Sequence, residues 1–185
     1  MRTAALRAVG GFDPERIAGE EPELCLRLRE RGGVIRRIDA PMTVHDAAMF
    51  RFGQWWRRAM RAGYVEAEGV AQLGRRYPRH RALWSSLFWA VLLPVGCWLA
   101  AGVLLASDRV GAGVVLLLLP FAGYALAWTR IRRHAQRRWS AADAGLYATA
   151  CLAAKWPAVQ GAFVYWWRRV TRRPRRLIEY KVAGG

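Results

Sequence analysis

Carboxylates and cysteines are scarce in this sequence, and each shortage excludes something. The 185 residues carry 13 Asp and Glu against 30 Lys and Arg, a net charge of +17. So large an excess directs attention to anionic partners such as phosphates, nucleic acids or membrane surfaces. The three cysteines, Cys25, Cys97 and Cys151, lie far apart with no CxxC or Cys/His spacing. That pattern supports neither a zinc site nor a disulfide framework. The segment from Met1 to Gly11 has two arginines and no apolar run, so no signal peptide is seen there. Internal repeats and low-complexity tracts are also missing, which excludes a solenoid.

What is present divides unevenly. Up to Leu83 there are 16 basic and 10 acidic residues; from Trp84 onward there are 14 and 3. The more apolar half is therefore also the more cationic, as in membrane proteins whose loops gather arginine on one side. No recognised binding motif or stacking pattern accompanies the charge, which argues against a nucleic-acid binder. Trp84 to Ala106 and Val110 to Thr129 are uncharged runs, each long enough to cross a hydrocarbon core. Only Ser107-Asp108-Arg109 separates them. They predict a transmembrane hairpin, since a soluble hairpin would not be apolar on every side. Arg75, Arg76, Arg79 and Arg81 precede it, and Arg130, Arg132, Arg133, Arg137 and Arg138 follow. Both flanks are thus expected on the cytoplasmic side, with Trp84, Trp128 and Trp139 near the interfaces. A third stretch, Ala141 to Trp167, contains Asp143, Lys155, Pro157 and Gln160 and leads into a dense arginine tail. Charges inside a membrane are costly, so this stretch is expected to break near Pro157 and lie in the interface or insert partly. A third full span is the alternative.

The N-terminal part carries the chemistry. Gly10-Gly11-Phe12-Asp13 is followed by Gly19-Glu20-Glu21-Pro22-Glu23-Leu24-Cys25-Leu26-Arg27-Leu28. Acids first and arginines later, ending at Gly32-Gly33, suit a helix and its dipole. Pro22 fits the first turn, and Leu24, Cys25 and Leu28 share one face. The plain interpretation is a capped surface helix. The functional one is a carboxylate held at a rim, where a general base can work.

The wording of these motifs resembles the second half of a family 2 glycosyltransferase catalytic domain. The resemblance runs on through Val34 to Pro41, Val44-His45-Asp46, Gln54-Trp55-Trp56-Arg57-Arg58, Arg61 to Tyr64 and Leu177 to Lys181. It implies an α+β fold: part of a GT-A, Rossmann-like domain, with a strand at Val34 to Ile38, followed by a helical membrane region. It implies transfer of a sugar from a nucleotide-diphosphate donor to a hydroxyl, a glycan or a lipid-linked acceptor. Glu21 would be the base, Glu20 would orient or share that role, and Glu23 would only cap the helix. His45 would help hold a divalent ion, magnesium or manganese, with Asp46 a weaker candidate. Gln54, Arg57 and Arg58 would serve the diphosphate and acceptor on a helix from about Met49 to Glu68. They are similar to the Gln-x-x-Arg-Trp motif of processive synthases, with Arg58 in place of the tryptophan. An arginine fork suits phosphate. The alternative for that helix is a basic amphipathic helix on lipid headgroups.

The expected organisation is a catalytic portion at 1–70, a basic linker at 71–83, the hairpin at 84–129 and a basic, partly inserted region at 130–185. No Asp-x-Asp metal motif occurs. The chain is therefore expected to be inactive alone, as a truncated reading frame, a fragment, or one piece of a split enzyme whose partner is a separate N-terminal half. A non-catalytic, membrane-associated interaction module is the competing expectation. Alkaline carbonate extraction should leave the chain in the membrane pellet. A cysteine at position 107 should label from outside intact cells, and one in the 130–138 flank should not. Recovery in the soluble fraction would remove the membrane assignment.

Overall fold

The structure is a computed structural model that describes residues 2–14, 19–36, 38–39 and 49–173. The regular structure of the described residues is helical: α1 Thr3–Ala8, α2 Glu20–Glu30, α3 Phe52–Leu73, α4 His80–Leu87, α5 Leu93–Ala106, α6 Val110–Ala135, α7 Ala141–Ala153 and α8 Lys155–Val170. They fall into two units, one of residues 1–83 with 160–185 and one of 84–159.

The α+β expectation is not met among the described residues, where no strand forms. Residues 33–36 and 38 are irregular, and Val34 and Ile38 are 80% and 65% exposed. A strand needs a neighbour to take its N–H and C=O groups. Among the described residues this segment has no strand partner, so no ladder forms there.

In the first unit, glycines set the geometry. Gly10 and Gly32 end α1 and α2 in the left-handed region, with the Gly11 and Gly33 N–H groups donating to the carbonyls of Leu6 and Leu28. This is the helix-ending turn that glycine favours. The buried residues of α3 run from Gly63 to Gly69. A Cβ on Gly69 would stand 2.5 Å from the ring of Tyr77, which is fully buried. The other close approach is at Gly161 of α8, where a Cβ would lie 1.8 Å from the backbone oxygen of Met60. Only glycine admits so short a distance between two helix backbones. Around that crossing, Tyr64 and Tyr165 meet edge to face at 5.4 Å, and Trp56 Nε1 donates to Gln160 Oε1 at 2.9 Å.

In the second unit, α5 and α6 form the expected hairpin. Residues 80–106 and 110–135 are each long and apolar enough to cross a membrane. The turn is closed by Asp108 in the left-handed region and by the Arg109 N–H on the Leu104 carbonyl, 2.9 Å. Packing of α7 uses small residues: Ala144 and Ala148 are fully buried, and Trp128 Nε1 donates to Thr149 Oγ1 at 3.1 Å. The break between α7 and α8 falls at Ala154. Pro157 follows three residues later and has no N–H to continue the ladder. Lys155 Nζ donates to Ser85 Oγ at 3.1 Å, which satisfies part of its hydrogen-bonding need.

Before Pro94 the helix widens to π-helical turns over Phe88–Leu92, a feature the sequence reading did not anticipate. The cause is local. Proline cannot donate to the carbonyl one turn back, and its ring crowds that turn. In the π register the carbonyl left without a donor is that of Trp89. Tyr124 of α6 donates its hydroxyl to this oxygen at 2.6 Å. An unsatisfied carbonyl in an apolar setting costs about 1–3 kcal/mol. Tyr124→Phe should therefore lower thermal stability in detergent by that amount. In a Pro94→Ala background, where an N–H is restored, the same change should cost clearly less. Strictly additive effects of the two substitutions would show that the hydroxyl does not serve this carbonyl.

Candidate functional site

The first unit contains a cleft of about 300 Å³ between the start of α2 and the middle of α3. Gly19 and Pro22 line it from α2; Arg58, Arg61, Ala62, Val65 and Glu66 line it from α3, with Tyr77 and Arg79 beyond. Gly19 makes the approach possible. It has φ +78°, and a Cβ there would come within 2.6 Å of Val65 Cγ1. Arg58, Arg61 and Arg79 contribute a positive field to this cleft, set against the acidic first turn of α2. Part of that field is balanced by Glu66, buried and bonded to Arg79 at 2.7 Å.

The sequence-expected residues fare differently. Glu20 and Glu21 sit in the first α2 turn between the lining residues Gly19 and Pro22; Glu20 is half-buried and Glu21 exposed. Arg58 lines the cleft, whereas Arg57 is exposed and does not. Gln54 has a structural occupation: its Oε1 accepts from the N–H groups of Phe50 and Arg51 at 2.9 and 3.1 Å. It thus caps the start of α3, satisfying donors that precede the helix. His45 and Asp46 lie outside the described residues.

Glu23 corrects the expectation of a simple cap. It is buried and forms a two-pronged pair with Arg27, at 2.5 and 2.7 Å. Arg27 also donates to the backbone oxygens of Val9 and Gly11, the latter at 2.8 Å. The hydrogen bonds that Arg27 donates to Glu23 chiefly raise its pKa, against a desolvation cost, so the guanidinium stays charged. One side chain thereby ties the Gly10-Gly11 turn to α2. The signal was in the sequence: Glu and Arg four apart on a helix. The pairing of Glu66 with Arg79, 13 residues apart, had no comparable signal. Nor did the burial of Tyr77 against Gly69.

Among the described residues no three His, Cys, Asp or Glu side chains converge as metal ligands.

Residues 1–131 match glycosyl transferase family group 2, and the chain belongs to that family. It matches no curated protein and no solved structure. The family match takes in the α2 motif, the arginine face of α3 and both long apolar helices.

Arg27→Met should free the Gly10-Gly11 turn and cost about 2 kcal/mol, less than a fully buried pair because the arginine keeps some solvent contact. Hydrogen exchange at residues 9–13 should accelerate while α5 and α6 keep their protection. Glu23→Gln should show the same pattern in weaker form. Unchanged exchange in both variants would mean the turn holds without them.

Proposed function

We propose that this chain is the membrane-held, acceptor-side portion of a glycosyltransferase. It would move a sugar from a nucleotide-diphosphate donor to a hydroxyl on a glycan or lipid-linked acceptor, in the synthesis of surface polysaccharide or glycolipid. The family match across both the acidic helix and the hairpin carries this reading. The two apolar helices and their arginine flanks support residence in the cell membrane with the catalytic part on the cytoplasmic side.

In this reading Glu21 accepts the proton of the acceptor hydroxyl. Its exposure allows a bulky acceptor to reach it, and its place in the first helical turn holds it at the rim of the cleft. The acceptor oxygen then bonds to the anomeric carbon as the bond to the diphosphate breaks. Negative charge grows on the departing diphosphate, and Arg58 and Arg61 of the adjacent cleft are placed to offset it. Glu20 supports the geometry of the turn. Donor binding would need a second segment carrying the Asp-x-Asp motif that this sequence lacks. A magnesium or manganese ion would bind with it, and His45 would contribute from this chain. Such an ion would act on the diphosphate as a Lewis acid.

In a preparation with measurable transfer, Glu21→Gln should lower kcat by roughly 10²–10⁴-fold, the usual worth of a general base. KM for the donor should stay close to its original value. A variant that keeps full turnover would remove Glu21 from the chemistry. Failure of the complete assembly to transfer from any nucleotide sugar would favour a non-catalytic module.

A further inference from the structure

Tyr77 lies in the short stretch between α3 and α4, where side chains usually meet solvent. It is instead fully buried, at 1% exposure. Two glycines make the slot that holds it. A Cβ on Gly69 would stand 2.5 Å from Cε2 and Cζ of the ring, so the ring lies directly on the α3 backbone. A Cβ on Gly19 would stand 3.5 Å from the Tyr77 hydroxyl, so the tip of the ring reaches the residue before Glu20 and Glu21.

The backbone of the same residue holds a third element. The Tyr77 carbonyl accepts from the N–H of His80 at 3.0 Å, and His80 Nδ1 stands 2.9 Å from it. His80 opens α4 and the 27-residue apolar helical run that ends at Ala106. At about 1.5 Å per residue that run is roughly 40 Å long, against about 30 Å for a hydrocarbon core. Its first turn therefore falls at headgroup level when the run crosses a bilayer. Arg79, which lines the cleft, is the residue just before it and is tied to buried Glu66 of α3 at 2.7 Å. That pair fixes the stretch to α3 but does not reach α2. Arg76 and Glu30 meet at 4.0 Å near the other end of α2, an exposed pair that contributes little. Of these contacts, only the Tyr77 ring joins the acidic turn of α2 to the stretch that enters the membrane span.

We propose that Tyr77 is a positioning residue: its ring locks the acidic turn of α2 to the first turn of the membrane span and so sets the height of Glu20 and Glu21 above the bilayer. The inference rests on the reading of Glu21 as proton acceptor and adds the side chain that aims it. A hydroxyl on a membrane-anchored acceptor is presented within a limited range of heights, and a base held at one height meets it in line.

Double electron–electron resonance on the full chain in lipid nanodiscs tests this, with spin labels at Glu21→Cys and Arg81→Cys and with Cys25, Cys97 and Cys151 replaced by alanine. With Tyr77 present the labels should give a single narrow distance. Tyr77→Leu should lose it to a broad distribution, while helical content and hydrogen exchange of α5 and α6 stay unchanged. Tyr77→Phe keeps a ring on Gly69 and should keep most of the narrow distance. Gly19→Ala covers the case in which Tyr77→Leu does not fold. Its Cβ presses on Val65 and the tyrosine hydroxyl and should shift the distance with the ring still in place. A distance as narrow in folded Tyr77→Leu as in the wild type would overturn the inference, as would an unmoved distance in Gly19→Ala. A transfer assay separates positioning from mere support. In a preparation with measurable transfer, Tyr77→Leu should lower kcat about 10- to 100-fold, the scale of a small misplacement, with donor KM unchanged. Tyr77→Phe should recover most of that loss. Full kcat beside a broadened distance would overturn the positioning role. Full turnover in Glu21→Gln, with the distance still dependent on Tyr77, would sink the proton-acceptor reading and leave the anchorage standing.

Discussion

The first unit depends on the contact between Gly161 and the backbone of Met60. Two helices separated in the chain by residues 74–154 meet there with nothing between them but a missing side chain. The tyrosine pair, the Trp56–Gln160 hydrogen bond and the arginine-lined cavity between α3 and α8 all follow from that approach. A β-carbon at 161 would push the backbones apart and pull each of these partners out of reach. Overpacking of this kind typically costs about 1–3 kcal/mol.

Helix α3 serves two chemistries. Its Arg58, Arg61 and Val65 side faces the acidic start of α2; its Tyr64, Ala71 and Gln72 side faces the arginines of α8. Successive residues of a helix point about 100° apart, so one 22-residue segment can line two clefts without sharing side chains. Gln54, outside both, holds the helix start. The family pattern thus has one member here in a cleft, one at the solvent and one acting as a cap.

Much of the helical plan was legible in the sequence because it rests on local rules. Two uncharged runs with a three-residue turn could form little other than a hairpin, and acids before arginines marked α2. The interruption of the third stretch followed from a proline. The strand expected at Val34 to Ile38 does not form among the described residues, because a strand is a relation between segments and its own residues show only half of it. The π turn was legible only in part: Pro94 announced a missing donor, but nothing local indicated that Tyr124, 30 residues on, would supply one. Glu23 was undervalued for a similar reason. Its i, i+4 partner was visible, but the carbonyls of Val9 and Gly11 that Arg27 also holds were not. In the candidate site, proximity of α2 to α3 depends on Gly19, whose left-handed backbone no composition rule singles out from its neighbours.

The first unit is also discontinuous, and that has a consequence for synthesis. Its opening 83 residues emerge long before α8, while the segment between them, 84–159, forms a unit of its own. A growing chain can therefore complete the hairpin and α7 before α3 meets the glycine it packs against. Until then Gly63 to Gly69 of α3 lack part of their cover, and the arginine-lined cavity does not yet exist. The connectivity allows the intervening unit to fold first and the contact between α3 and α8 to form last. Loop-closure entropy sets the penalty for that late contact.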